Sequence, residues 1–226
     1  MTINVVERID ERVKVGHLLV SVSDKRGLDE FIPRLVALNP ELRIFSTGGT
    51  FAHLEKIMGP SAGGRLVQVS AYTGQPETQG GLVKTLDFKI YLGLLTETYN
   101  EAHQSDLRRT ASVPIDLVVV NLYPFRETIA RAGVTPEQAR GNIDIGGPCM
   151  IRAAAKNFIR VAPVVDPADY GEILAELEAQ KGATSLALRF RLAQKAFAHT
   201  AAYDRAIADY LAGTAAADVR ACYNLG

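Results

Sequence analysis

The sequence predicts an α/β protein: a three-layer α/β/α sandwich around a mostly parallel sheet of about five strands, with helices added at its C-terminal end. Three observations carry this expectation. Short β-branched and leucine-rich runs alternate with longer stretches of helical periodicity, the pattern of strands joined by crossover helices. One run, Ile115–Asn121, is too apolar to have a solvent face, as in a parallel sheet covered on both sides. After Pro167 the chain turns alanine-rich, with apolar residues three and four apart, which is helical spacing.

Taken in order, "HLLVSVS" (17–23) reads as the first strand and "GLDEFIPRLVAL" (27–38) as a helix. "LRIFST" (42–47) is a second strand, and "GGTFAHLEKIM" (48–58) is a helix opened by glycines. "RLVQVS" (65–70) is a third strand, 115–121 a fourth and "RVAPVVD" (160–166) a fifth. "PADYGEILAELEAQ" and "SLALRFRLAQKAFAHTAAYDRAIADYLAG" are the C-terminal helices. No repeat or long linker interrupts the chain. The expectation is one domain over 1–226, with a core at about 15–166 and a helical portion at about 167–213.

Composition narrows the function classes. Of 226 residues, 47% are hydrophobic and 22% charged, and the formal net charge is zero. No long-range field therefore favours nucleic acid or an acidic membrane surface. Two cysteines, Cys149 and Cys222, have no metal-ligand spacing and fit a reducing compartment. The opening "MTINVVERIDERVKVG" carries acids among its apolar residues, unlike a signal peptide. No apolar run approaches a membrane span. A cytoplasmic location is expected.

In open parallel sheets ligands bind beyond the carboxyl ends of the strands, where the suggestive motifs fall. "SVSDK" places Ser23 and Lys25 after the first strand, and "STGGT" places Ser46, Gly48, Gly49 and Thr50 after the second. Glycines admit an anion close to the backbone, and a helix N-terminus supplies N–H donors. Such turns are also often only turns; a lysine beside two of them favours a phosphate cradle. "GGLVKTLDFKIYLGLL" carries Lys84, Thr85 and Lys89, and by itself reads as a solvated amphipathic segment. "NLYPF" sets Asn121 and Tyr123 after the strongest strand; the tyrosine either packs or points into the crevice.

"IDIGGPCMIRAAAKN" (143–157) puts Asp144 before Gly146-Gly147-Pro148 and Lys156 after a run of alanines. The plain reading is a capping carboxylate and a solvated lysine. The sharper one holds that helical side chains lean toward the N-terminus, bringing Lys156 toward Asp144 so that the two charges converge for chemistry.

Together "SVSDK", "STGGT", "GGLVKTL", "NLYPF", "NIDIGGPCMIRAAAKN", "VVDPADY" and "AFAHTAAYD" resemble, in this order, the inosine monophosphate cyclohydrolase family, found as a domain of the bifunctional purine-biosynthesis protein. The resemblance runs from Val15 to Leu211. It implies a methylglyoxal-synthase-like fold and ring closure of formamidoimidazole carboxamide ribotide with loss of water. It implies neither metal nor cofactor, allows a homodimer, and requires a formyltransferase elsewhere to supply the substrate. By matching position, Ser23, Lys25, Ser46, Gly48, Gly49 and Thr50 would hold the phosphate and ribose. Lys84, Thr85, Asn121, Tyr123, Asp144, Gly146 and Lys156 would surround the base, with Lys84, Tyr123, Asp144 and Lys156 catalytic.

One segment departs from the family: Leu82 stands where an arginine is usual, and Asp87, Phe88, Tyr91 and Leu92 replace other residues. Asp87 would oppose an anionic ligand unless Lys89 or Lys25 offset it. These departures motivate a second reading, a non-catalytic or regulatory purine-nucleotide-binding protein. A third, lyase action on a phosphorylated triose, rests on fold resemblance alone.

Overall fold

The computed structural model describes residues 5–75, 78 and 84–226. Its central sheet is parallel throughout. In chain order the elements are β1 (Arg12–Lys14), β2 (His17–Val22), α1 (Leu28–Leu38), β3 (Arg43–Ser46), α2 (Gly48–Met58), β4 (Leu66–Gln68) and α3 (Val69–Thr73). Then come α4 (Phe88–Leu95), α5 (Glu101–Arg109), β5 (Leu117–Asn121), α6 (Phe125–Ile129), α7 (Pro136–Gly141) and α8 (Gly146–Lys156). β6 (Ala162–Val164), α9 (Tyr170–Ala179), β7 (Ala183–Ser185), α10 (Leu186–Gly213) and α11 (Ala216–Arg220) complete the chain.

The sheet order is β4-β3-β2-β5-β6, so the winding reverses between β2 and β5. Their register pairs Leu18 with Leu117 and Val22 with Asn121. Alternation across the pleat sends Leu18, Val20, Ile44, Leu117 and Val119 to one face, where α1, α2 and α9 cover them. Leu19, Phe45, Val118 and Val120 go to the other, under α4, α8 and part of α10. Both faces are dry, which is why these strands read as continuous apolar runs. The three-layer expectation holds, and all five sheet strands fall within the runs that predicted them.

Two features lay outside the expectation. β1 and β7 form a separate antiparallel pair, Arg12 opposite Ser185; three residues are too few to show a periodicity. Segment 88–95 is a packed helix rather than a solvated one, with Ile90, Gly93 and Leu94 buried. Asp87 caps it, accepting a hydrogen bond from the Lys89 N–H at 2.7 Å.

Buried arginines tie the layers. Arg160 bonds Asp116 at 2.6 Å and three backbone carbonyls, of Gly93, Thr96 and Ile115. Arg189, fully buried, donates to the carbonyls of Phe158, Thr184 and Asp10, among others. Burial lowers the pKa of both; their polar partners offset much of that desolvation.

Candidate active site

A cleft of about 920 Å³ opens at the carboxyl ends of β2, β3 and β5, at the reversal of winding. This is the position physics favours: strand ends leave room there, and helix N-termini point into it. Its size suits a small-molecule ligand.

One wall is the β3–α2 turn. Gly48 has φ +45°, a left-handed conformation that glycine adopts without strain. A Cβ at Gly48 would lie 3.5 Å from the Lys84 amine, so Lys84 reaches over the first turn of α2. Gly49 faces open space. Ser23 and Lys25, from the β2–α1 loop, line the same region. Backbone donors and Lys25 suit an anion at this end, with the Lys84 amine above the same turn.

The opposite wall is the loop between α7 and α8. Asp144 is half-buried there; its Oδ1 accepts the Gly147 N–H at 2.8 Å, and the Tyr123 N–H also bonds the carboxylate. Burial pushes its pKa above the ordinary carboxylate value, and the two N–H bonds pull it back in part. The loop comes close enough that a Cβ on Gly147 would lie 2.6 Å from Asp144 Oδ2 and 2.6 Å from Leu122 Cδ2. A Cβ on Gly146 would meet the Thr85 hydroxyl at 2.8 Å. Thr85 is 6% exposed, and its Oγ1 has no partner among the described residues. A buried hydroxyl without a partner beside a cleft has bonding capacity to offer there. Tyr123, 48% exposed, also lines the space.

Three expected ligand residues bond the scaffold, two of which, Thr50 and Asn121, also line the cleft. Ser46 is fully buried, donates to the Val20 carbonyl at 2.8 Å, and does not line the cleft. Thr50 borders the cleft, but its Oγ1 is committed to Val22, accepting from the N–H at 3.1 Å and donating to the carbonyl at 3.0 Å. Asn121 accepts the N–H groups of Ser23 and Asp24 at 2.7 and 2.8 Å and donates to the Asp24 carbonyl at 2.8 Å. It shapes the β2–α1 loop.

Lys156 is the largest correction. It is exposed in the last turn of α8 and absent from the cleft lining. Asp144 lies just before α8, and the helical rise from Gly146 to Lys156 alone is roughly 15 Å, far more than a leaning side chain recovers. Within one chain the charges do not converge.

The departing segment is also clearer. Asp87 is 5% exposed, spent as the α4 cap, and does not line the cleft, so no opposing charge reaches a ligand from it. Lys89 donates to the Tyr72 carbonyl at 3.2 Å. Tyr91 is half-buried beside Cys149, and burial raises its pKa; Phe88 is exposed. Leu82 lies outside the described residues.

Several residues in the cleft or behind its wall were given no site role by the sequence reading. Ser21 and Thr47 pair their hydroxyls at 3.0 Å across the β2 and β3 ends; both lie within quoted motifs, so position relative to the strand end could have found them. Arg140 lines the cleft, its guanidinium held by Glu137 at 2.5 and 2.7 Å. Nothing in its local sequence marks it. Tyr203, on α10, accepts the Asp144 N–H at 2.8 Å; its only signal was membership of "AFAHTAAYD".

A doubly wound α/β sheet with a cleft and a half-buried carboxylate at its switch point defines the class: a parallel α/β protein with its candidate site at the reversal of winding. The chain belongs to the MGS-like domain family, whose model matches residues 27–149. Residues 154–225 match the model described as AICARFT/IMPCHase bienzyme. The chain is similar to the bifunctional purine biosynthesis protein PurH of Lactiplantibacillus plantarum, 52% identical over 85% of this chain and 36% of that protein. It is similar to PurH of Sorangium cellulosum at 50% identity over 87% and 36%. It thus spans about a third of the length of these relatives. Among solved structures it is similar to ForH, with a TM-score of 0.74 and 32% identity, over 88% of this chain and 99% of that one. The motif resemblance is borne out at family level, as is the MGS-like α/β fold. No helix among the described residues is long and apolar enough to cross a membrane.

Proposed function

We propose that the chain is an inosine monophosphate cyclohydrolase of purine biosynthesis, closing the ring of formamidoimidazole carboxamide ribotide with loss of water. The observation that carries the reading is a single cleft with an anion cradle at one end and a desolvated carboxylate, with an unpartnered hydroxyl near it, at the other. Similarity to PurH over most of the chain supports it. The carboxamide nitrogen attacks the formyl carbon of the same molecule. Little entropy then remains to be removed, and the enzyme's work is orientation and proton transfer. Ser23, Lys25, Gly48 and Gly49 hold the phosphate and ribose. Asp144, its basicity raised by burial, takes the carboxamide proton as the C–N bond forms. Lys84 protonates the formyl oxygen and Asp144 passes on the proton it took, so that the oxygen leaves as water, while the formamido N–H proton lost as the C=N bond forms returns to Lys84. Thr85 and the Gly146 backbone fix the carboxamide arm, and Tyr123 closes the wall. A formyltransferase supplies the substrate in the same cytoplasmic compartment.

Lys156 enters this scheme only from a second copy. Ile145, Cys149, Arg152 and Lys156 recur along one side of α8, three of them exposed and Cys149 partly so. Two such stripes pairing antiparallel about a two-fold axis would carry the lysine of one chain toward the Asp144 loop of the other. A homodimer with shared sites is therefore part of the proposal.

The test is formation of the hypoxanthine chromophore from the formylated ribotide by wild type, Asp144→Asn and Lys156→Ala. Losses of about 10²–10⁴-fold are expected for the aspartate variant. Mixing the two impaired variants should restore up to about a quarter of the activity through hybrid dimers. Tight binding of inosine monophosphate without turnover by wild type would reject the catalytic reading. Failure of the mixture to regain activity would reject the shared site alone.

A further inference from the structure

We infer that Tyr203 is a positioning residue: from α10 its hydroxyl fixes the backbone of the loop at 142–147 and thereby aims the Asp144 carboxylate into the cleft. The inference rests on the proposed role of Asp144 as proton acceptor, and it assigns part of the site to the C-terminal helix, remote in sequence.

The geometry is specific. Tyr203 Oη accepts the Asp144 N–H at 2.8 Å and donates to the Asn142 carbonyl at 3.2 Å. One hydroxyl therefore spans two backbone groups of a short loop from about sixty residues away. Apart from the Tyr123 N–H to the Asp144 carboxylate, the other bonds of the loop are local. Ile143 N–H reaches the Arg140 carbonyl, Asn142 Nδ2 the Gln138 carbonyl, and Gly147 N–H the Asp144 carboxylate itself. Ile145 is 61% exposed and contributes little packing to hold the loop down. The Tyr203 ring is 8% exposed and lies edge-on to Phe125 at 6.1 Å, which in turn lies edge-on to Tyr210 at 5.9 Å. The ring is thus packed among aromatics of α6 and α10, while its oxygen alone reaches the loop.

A group that hydrogen-bonds a neighbour's backbone can be merely structural. A positioning role predicts more, because the Asp144 carboxylate sits between two opposing influences: burial, which raises its pKa, and the N–H groups of Gly147 and Tyr123, which lower it. Releasing the loop lets the carboxylate turn toward water. Burial is the larger influence, so its titration moves down in pH. The other titratable or charged groups about it are Tyr123, Tyr203 with Asp204 beside it, and Lys25, Lys84 and Arg140 on the same cleft; Tyr203→Phe leaves all but the one phenol in place.

The experiment compares wild type, Tyr203→Phe and Phe125→Leu. Tyr203→Phe deletes one oxygen and keeps the ring. It is expected to lower kcat about 10–100-fold, the scale of a displaced reacting group, with KM within about 2-fold. The Asp144 carboxyl resonance, assigned with Asp144→Asn, is expected to titrate at lower pH than in wild type. Phe125→Leu, which loosens the same cluster but keeps the hydroxyl, should lower the unfolding temperature and leave kcat within about 2-fold. An unchanged titration and kcat in Tyr203→Phe, or an equal kcat loss in Phe125→Leu, overturns the inference. If wild type shows no turnover, the proposed reaction falls by itself. The titration then decides the positioning role, a downward shift supporting it and an unchanged one removing it. Should Tyr203→Phe fail to fold, 3-fluorotyrosine at 203 weakens the oxygen as an acceptor at nearly constant shape, and the same titration decides.

Discussion

Replacing Asn121 with alanine separates a scaffold role from a ligand role. The side chain makes three hydrogen bonds of 2.7–2.8 Å, all to the backbone of Ser23 and Asp24. Each contributes about 0.5–1.5 kcal/mol net, so their joint loss amounts to about 3 kcal/mol. For a chain of this length 1 kcal/mol moves the unfolding midpoint by about 2–4 °C, which gives a drop of about 6–12 °C by circular dichroism. The freed loop carries Ser23 and Lys25, so affinity for inosine monophosphate should fall as well, by about 10-fold in a titration. Asn121→Asp keeps the acceptor for both N–H groups but turns a carboxylate oxygen toward the Asp24 carbonyl. Its stability should lie between the other two, while its added charge weakens binding of a phosphorylated ligand further. A midpoint within about 2 °C of wild type in Asn121→Ala, with affinity nevertheless lost, would refute the reasoning and return Asn121 to direct ligand contact.

Asp144→Asn should gain stability relative to wild type as pH rises. A carboxyl whose folded pKa is raised binds more protons folded than unfolded, so wild-type stability falls between the unfolded and the raised folded pKa. The difference in unfolding free energy is expected to vanish below the ordinary carboxylate range and to reach its plateau above the raised value; urea titrations at several pH values measure it. Gly147→Ala places a methyl 2.6 Å from both Asp144 and Leu122 and should cost about 1–3 kcal/mol by overpacking, with a kcat loss beyond that of Gly49→Ala, whose Cβ meets nothing. Thr50→Val strands the N–H and carbonyl of Val22 and should destabilise by about 2–4 kcal/mol, seen as a lower denaturation midpoint at unchanged m-value.

The sheet was legible because burial on both faces leaves an unmistakable apolar run, and Leu117–Val120 shows it best. The place of the site was legible for a related reason: strand ends and glycine-opened helices can be located from pattern alone. The division of labour inside the site was not. Ser46 and Ser23 look alike in sequence, each a hydroxyl at a strand end, yet the first turns back to the Val20 carbonyl and the second lines the cleft. The difference is one step of the pleat. Asn121 looks like a ligand group and is the clasp of a loop. Arg140 depends on the path of a connection that no periodicity reports.

Lys156 fails for a different reason, and its failure carries information. Spacing along a helix is a distance, so Asp144, just before α8, and Lys156, in its last turn, stand at opposite ends of it whatever their rotamers. A solvated lysine needs no partner, and the exposed stripe through Ile145 and Arg152 needs no explanation if the chain acts alone. A catalytic lysine at that position does need one, because only an antiparallel neighbour reverses the helix and brings its far end to the carboxylate. Activity proportional to protein concentration through the range where a dimer dissociates, with Lys156→Ala as active as wild type, marks a self-contained cleft. Specific activity that collapses on dilution, together with an impaired Lys156→Ala, marks a site built across two chains.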